Sequence, residues 1–127
     1  MKKRLDHLGI MVKDMDASIQ FYVNELGFTL KDRLLHTNGV IELAFLGFNE
    51  SGETEIELIK GYNDSLPNEG KVHHFAIQTE TIEDDFKRMM EHTHIELIDN
   101  EVITLPNGYR YFYIYGPDRE WIEFFQR

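Results

Sequence analysis

The chain has 127 residues, 42% of them hydrophobic and 13% aromatic, which suits one folded domain with its own core and argues against disorder. It has no cysteine, so disulfides, thiolate metal sites and a cysteine nucleophile are excluded and any metal is left to imidazole and carboxylate. A formal net charge of −10 opposes a phosphate backbone, no run of about 20 apolar residues is present to span a membrane, and Met1-Lys2-Lys3-Arg4 leads straight into a strand-like segment rather than a signal-peptide core. No nucleic-acid partner, no membrane partner and a cytoplasmic location are expected.

Leu5 to Val12 alternates as a strand, with Leu8, Ile10 and Val12 on one face and Leu5, His7, Gly9 and Met11 on the other. Asp14 or Asp16 is placed to cap a helix running to about Leu26, with Met15, Ile19, Tyr22 and Leu26 as its buried stripe and Gly27 as its stop. Thr29 to Leu35, Val40 to Phe48 and Thr54 to Lys60 read as three strands divided by turns at Asn38-Gly39 and Asn49-Glu50-Ser51-Gly52. This half is therefore βαβββ, and a polar stretch from Gly61 to Gly70 has the composition of a linker.

The order then repeats. Val72 to Gln78 is a strand, and Ile82 to His92 a helix that Thr81 caps with Asp84 in the capping-box position. Glu96 to Asp99 and Glu101 to Leu105 are two short strands or one broken one, followed by Tyr109 to Tyr115 and Trp121 to Gln126.

The repeat extends to individual words. His7-Leu8-Gly9-Ile10 answers His74-Phe75-Ala76-Ile77 at an offset of 67 residues, and Ile56-Glu57-Leu58 answers Ile122-Glu123-Phe124 at 66. The helical quartet Met15, Ile19, Tyr22 and Val23 maps at 67 onto Ile82, Phe86, Met89 and Met90. A strand, a helix and a later strand in one order at one offset indicate a duplicated fold. The expected architecture is α+β, a single domain of two tandem βαβββ modules, about 1–66 and 67–127, whose sheets share a concave face.

Each half supplies one histidine and one glutamate, so His7, Glu57, His74 and Glu123 are the candidate metal ligands. Parity places Glu57 opposite Ile56 and Leu58, and Glu123 opposite Ile122 and Phe124, away from the helix-packing side. Neighbouring strand residues point to opposite faces, so only one of His73 and His74 is expected to serve, and the repeat selects His74. His92 and His94 are expected at an exposed helix end and His36 at the surface. Tyr109, Tyr111, Tyr113 and Tyr115 form a stripe opposite Arg110, Phe112 and Ile114, a pattern that more often serves packing than recognition. Trp121 shares the parity of Glu123.

These words in this order resemble the vicinal oxygen chelate superfamily, which includes glyoxalase I, methylmalonyl-CoA epimerase, bleomycin- and fosfomycin-resistance proteins and extradiol dioxygenases. The resemblance is carried by His7-Leu8-Gly9-Ile10, Asp14-Met15-Asp16, Phe21-Tyr22, Leu26-Gly27-Phe28, Glu57-Leu58, His74-Phe75-Ala76 and Gly116-Pro117-Asp118 leading to Trp121-Ile122-Glu123. It implies a metal-dependent lyase or isomerase of the lactoylglutathione lyase type, acting on a small oxo or hydroxy compound, free or as a thiol adduct, through a metal-stabilised enediolate. The ligands would be His7, Glu57, His74 and Glu123 around one divalent nickel, zinc, cobalt, manganese or iron ion. Glu123, with Glu57 as its symmetric counterpart, would remove the proton beside the carbonyl. Such proteins imply a homodimer.

The arginine and asparagine with which glyoxalase I holds glutathione are replaced here by Met11 and Gly61, which argues against glutathione itself; Asn63 is a partial substitute. An acyl-CoA epimerase is an alternative suggested by Gly39-Val40 and Ala44-Phe45-Leu46, yet Thr37 and Asn38 stand where its extra carboxylate would lie. In dioxygenase or fosfomycin-type chemistry, which uses two histidines and one glutamate, Glu57 is surplus. A metal-free small-ligand binding or resistance protein of the same fold is the reading from outside enzymology, and the intact quartet counts against it.

Overall fold

The computed structural model describes residues 5–50, 52–63, 65 and 73–127. The opening Met1-Lys2-Lys3-Arg4, Ser51 of the second turn, the greater part of the Gly61 to Gly70 linker and Val72 lie outside the described residues. The chain divides into two compact units, Met1–Leu66 and Pro67–Arg127, and each holds a four-stranded mixed sheet and a short helical segment. The architecture is α+β, built of two βαβββ modules.

In the first unit β1 (His7–Val12), β2 (Thr29–Leu35), β3 (Glu42–Gly47) and β4 (Glu55–Lys60) take the order β1-β4-β3-β2. β1 runs parallel to β4, while the two hairpin pairs are antiparallel. The first and last strands of the module are thus side by side. Ala44, Leu46, Ile56 and Leu58 point to one face and are buried, as alternation requires.

α1 (Met15–Gln20) packs against that face. Asp14 caps it, its side chain accepting from the Ala17 amide at 3.1 Å. The helical segment continues to Glu25 with Leu26 as its C-cap, the extent that the spacing predicts, but Phe21–Glu25 is wound as a π-helical turn. Phe28 then donates its amide to Tyr22 O at 3.0 Å, with Gly27 at φ +81°. That closure spans one residue more than the common Schellman hydrogen bond, as a widened turn needs, and only glycine takes this φ without strain. Tyr22 is fully buried as a result.

The second unit repeats the plan with β5 (His74–Gln78), α2 (Ile82–Glu91), β6 (Ile103–Thr104), β7 (Arg110–Tyr115) and β8 (Trp121–Gln126) in the order β5-β8-β7-β6. β5 is parallel to β8. Phe112, Ile114, Ile122 and Phe124 form the buried face, with Phe112 stacked on Phe124 at 4.7 Å and edge-on to Phe86 of α2 at 5.1 Å. Ile82 and Met89 of α2 are buried, whereas Met90, the counterpart of Val23, is exposed.

One local expectation changes, and one open alternative is decided. The Thr81 side chain makes no cap bond to α2; Thr79 Oγ1 accepts the Thr81 amide, Gln126 Oε1 accepts the Ile82 amide at 2.9 Å, and Asp85 rather than Asp84 bonds Thr79 Oγ1. A partner from β8 has displaced the local capping box. The segment expected as Glu96 to Asp99 and Glu101 to Leu105 is one broken strand along β7. Leu97 bridges Ile114, Tyr115 N donates to Glu96 O, Ile98 N donates to Tyr113 O, and regular pairing resumes only at Ile103–Thr104. Among the described residues no helix is long and apolar enough to cross a membrane.

Candidate metal centre

In the first unit the face opposite the helix carries His7, Gly9 and Met11 from β1, Glu55, Glu57 and Ile59 from β4, and Phe45 from β3. The parallel register sets Gly9 beside Glu57 and His7 beside Glu55, so His7 and Glu57 meet diagonally. His7 Nε2 lies 3.6 Å from Glu57 Oε1. A Cβ at Gly9 would be in ordinary contact with the same oxygen at 3.6 Å and crowd only Ile59, at 3.2 Å.

The second unit reproduces the arrangement. Ala76 is beside Glu123, His74 is two residues earlier beside Trp121, and His74 Nε2 lies 3.4 Å from Glu123 Oε1. Both histidine side chains remain accessible, 40% for His7 and 35% for His74, whereas the carboxylates are withdrawn to 15% for Glu57 and 9% for Glu123. The two pairs therefore have one design, a rigid acid set into the sheet and an imidazole at its open end.

The pairs differ across the antiparallel ladder. Phe45 stands opposite Glu57 and Tyr113 opposite Glu123. Phe45 meets His7 edge-on at 6.0 Å, and Tyr113 meets His74 edge-on at 5.2 Å while its hydroxyl faces the Glu123 carboxylate closely enough for each to act on the other's titration. Burial holds the Glu123 carboxyl above its usual value, and nearby Asp99 adds to this; His74 and the Tyr113 hydroxyl pull the other way. Burial, then the charge of Glu123, pushes the Tyr113 phenol up, so it is a proton donor throughout the neutral range. Asp99 is held near by the break in the β6 segment, where its Oδ2 accepts the Tyr113 amide at 2.8 Å.

His7 is shifted upward chiefly by its hydrogen bond to Asp6, with Glu57 adding to this and desolvation opposing it. His73 does not turn to the far face as strict alternation suggested. β5 begins at His74, so His73 stands ahead of the strand, 2.9 Å from His74 Nδ1 and 4.8 Å ring to ring from Trp121. Trp121 also touches Tyr113 and Tyr115. Tyr111 and Tyr113 are in edge contact, so the tyrosine stripe is a half-buried aromatic surface beside the His74–Glu123 pair.

Among the other candidates, His36 and Asn63 make local turn contacts. The His36 ring accepts the Asn38 amide in the β2–β3 turn, and Asn63 Oδ1 accepts from Ser65. His92 ends α2 and its ring meets His94 at 5.4 Å. Gly61 has φ +94°, and a Cβ there would stand 3.0 Å from Val40 O, so the backbone itself disfavours an asparagine at this position.

Two donors about 2.1 Å from one ion at right angles lie about 3 Å apart. The His–Glu separations of 3.6 and 3.4 Å are close to that spacing, and imidazole with carboxylate suits a divalent transition ion. The residues of each half thus fit the metal that the resemblance implies.

Residues 4–124 match the model of the Glyoxalase/Bleomycin resistance protein/Dioxygenase superfamily. The uncharacterized protein YwbC of Bacillus subtilis (strain 168) is 63% identical over the full length of both chains. Among solved structures, the trypanothione-dependent glyoxalase I of Leishmania major is 27% identical with a TM-score of 0.81, covering 98% of this chain and 87% of that one. The glyoxalase family protein APC24694 from Bacillus cereus shares the fold at 23% identity and a TM-score of 0.77, covering 99% of this chain and 95% of its own. Glyoxalase I from Zea mays does so at 23% and 0.80, with this chain spanning 44% of its length.

Proposed function

The chain belongs to the glyoxalase/bleomycin resistance protein/dioxygenase superfamily, and from that membership we propose that it is a metal-dependent lyase or isomerase of the glyoxalase type. Its substrate is a small oxo or hydroxy compound, free or as a thiol adduct. The observation that carries this reading is the twofold occurrence of one pair, a histidine Nε2 facing a glutamate Oε1 at 3.6 Å and again at 3.4 Å. A protein that only stores a ligand has no need of the same acid and imidazole in both halves.

His7, Glu57, His74 and Glu123 would hold the ion as a donor set of two imidazoles and two carboxylates. When bound, a divalent ion supplies charge neutralisation for an anion developing on two adjacent oxygens. Glu123 takes the proton from the carbon beside the carbonyl, since its withdrawn setting raises its basicity above that of an exposed carboxylate. Tyr113 donates to that carboxylate and holds the oxygen that remains unprotonated. Met11 and the left-handed Gly61 at the positions that would bind glutathione count against glutathione itself. The reading includes a homodimer.

Elemental analysis of the tag-free protein, before and after reconstitution with nickel, zinc, cobalt, manganese or iron(II), tests it. About one ion per chain, lost in His7→Ala and in His74→Ala, is expected, together with turnover of 2-oxoaldehyde adducts of small thiols. Failure to bind any of these ions would sink the proposal.

A further inference from the structure

The residue immediately before each proposed histidine ligand makes the same contact in both halves with different chemistry. Asp6 Oδ2 lies 2.8 Å from His7 Nδ1, and His73 Nδ1 lies 2.9 Å from His74 Nδ1. Asp6 and His73 are themselves equivalent under the repeat, at the same offset of 67 residues. Both stand just ahead of the first residue of their strand, where the chain is free of strict alternation and a side chain can lie back along its neighbour's ring. In each half the opposite nitrogen of that ring, Nε2, is the one that faces glutamate.

A neutral imidazole has one proton for two nitrogens, and an acceptor beside Nδ1 places the proton there and leaves the lone pair on Nε2. Ionised Asp6 can only accept, so it selects this form of His7. His73 accepts from His74 when its own proton is on Nε2, and its ring is steadied by Trp121. We infer that Asp6 and His73 are positioning residues that set the ring orientation and tautomer of His7 and His74 so that each presents Nε2 to a divalent ion. The inference rests on the metal reading above and adds the groups that prepare the ligands. It also makes the halves unequal: a carboxylate behind His7 strengthens that donor more than a neutral imidazole strengthens His74.

Two measurements on the full chain test it. Long-range proton–nitrogen NMR of the metal-free protein, at a pH where His7 is neutral, should find its proton on Nδ1, and Asp6→Ala should return the proton to Nε2. Competition of cobalt(II) or zinc alone against a chromophoric chelator should show affinity falling about 10- to 100-fold in Asp6→Ala and in His73→Ala. Asp6→Asn and His73→Gln, which keep an acceptor in place, should recover much of the loss. His7 protonated on Nε2 in the parent protein overturns the inference whatever the metal result. An ion that is lost on His7→Ala and His74→Ala yet held at parental strength in Asp6→Ala and His73→Ala overturns it alone. A chain that binds no ion overturns it together with the functional proposal.

Discussion

Tyr113 stands directly opposite Glu123 in the β7–β8 ladder, where its hydroxyl acts on the carboxylate, whereas Phe45 holds the corresponding place opposite Glu57. One hydroxyl therefore separates two acids that the duplication otherwise makes alike. Tyr113→Phe removes one of the two influences that lower the Glu123 carboxyl and leaves His74 as the other, so this group should titrate further above 4.5 than in the parent. Carbon-13 NMR of the side-chain carboxyls reads the change directly, and an unaltered Glu123 titration would show that the hydroxyl does not act on it.

The inequality should reach catalysis. Glu123→Gln keeps an oxygen for an ion but cannot take a proton, so turnover should fall about 10²- to 10⁴-fold, the usual worth of a general base. Glu57→Gln should lose much less. Steady-state rates with both variants loaded to the same metal content make the comparison, and equal losses would mean that the proton is not carried by Glu123 alone.

The His7 titration gives a pH prediction. In the folded protein the hydrogen bond to Asp6 raises His7 above 6.5, so the protonated form is favoured by folding. The associated stability is fully present below 6.5 and disappears as pH rises through the raised folded value. Asp6→Asn should bring the His7 midpoint down toward 6.5 and flatten this part of the stability profile. Proton NMR of the metal-free protein follows the midpoint, and a midpoint indifferent to Asp6 would contradict the assignment.

The faces that carry these groups depend on the cores beneath them. Phe112 is fully buried between Phe124 and Phe86, so Phe112→Ala should cost about 3 to 5 kcal/mol in chemical denaturation. The neighbouring Tyr111→Ala, on the half-buried face, should cost clearly less. Similar losses for the two would show that the sheet face is misassigned.

The duplicated order of elements was legible because it is written in side-chain spacing. Half-buried Leu8 and Ile10 with buried Val12, and buried Ile56, Leu58, Ile122 and Phe124, keep the alternation of strands packed on one face, and that parity alone turns Glu57 and Glu123 to the other face. It failed where the periodic backbone stops. His73 lies one residue ahead of β5, so alternation does not govern it, and its ring went to His74 and Trp121. The π turn at Phe21–Glu25 leaves the apolar spacing of Tyr22 and Leu26 nearly unchanged and so escapes a periodicity test. The α2 cap was missed because its acceptor, Gln126, comes from the far end of the module. Asp6 carried no signal beyond its place in the repeat.

The parallel pairing of β1 with β4, and of β5 with β8, also sets when the proposed ligand pairs can exist. Histidine is contributed by the first strand of each module and glutamate by the last, so the whole stretch between them must be made before the two side chains can meet. During synthesis His7 waits for β4 and His74 for β8, the final strand of the chain. Long-range parallel pairing of this kind is slow to form. A partly made chain therefore displays separate imidazoles and carboxylates, but assembles neither His–Glu pair until the closing strand of its module has docked.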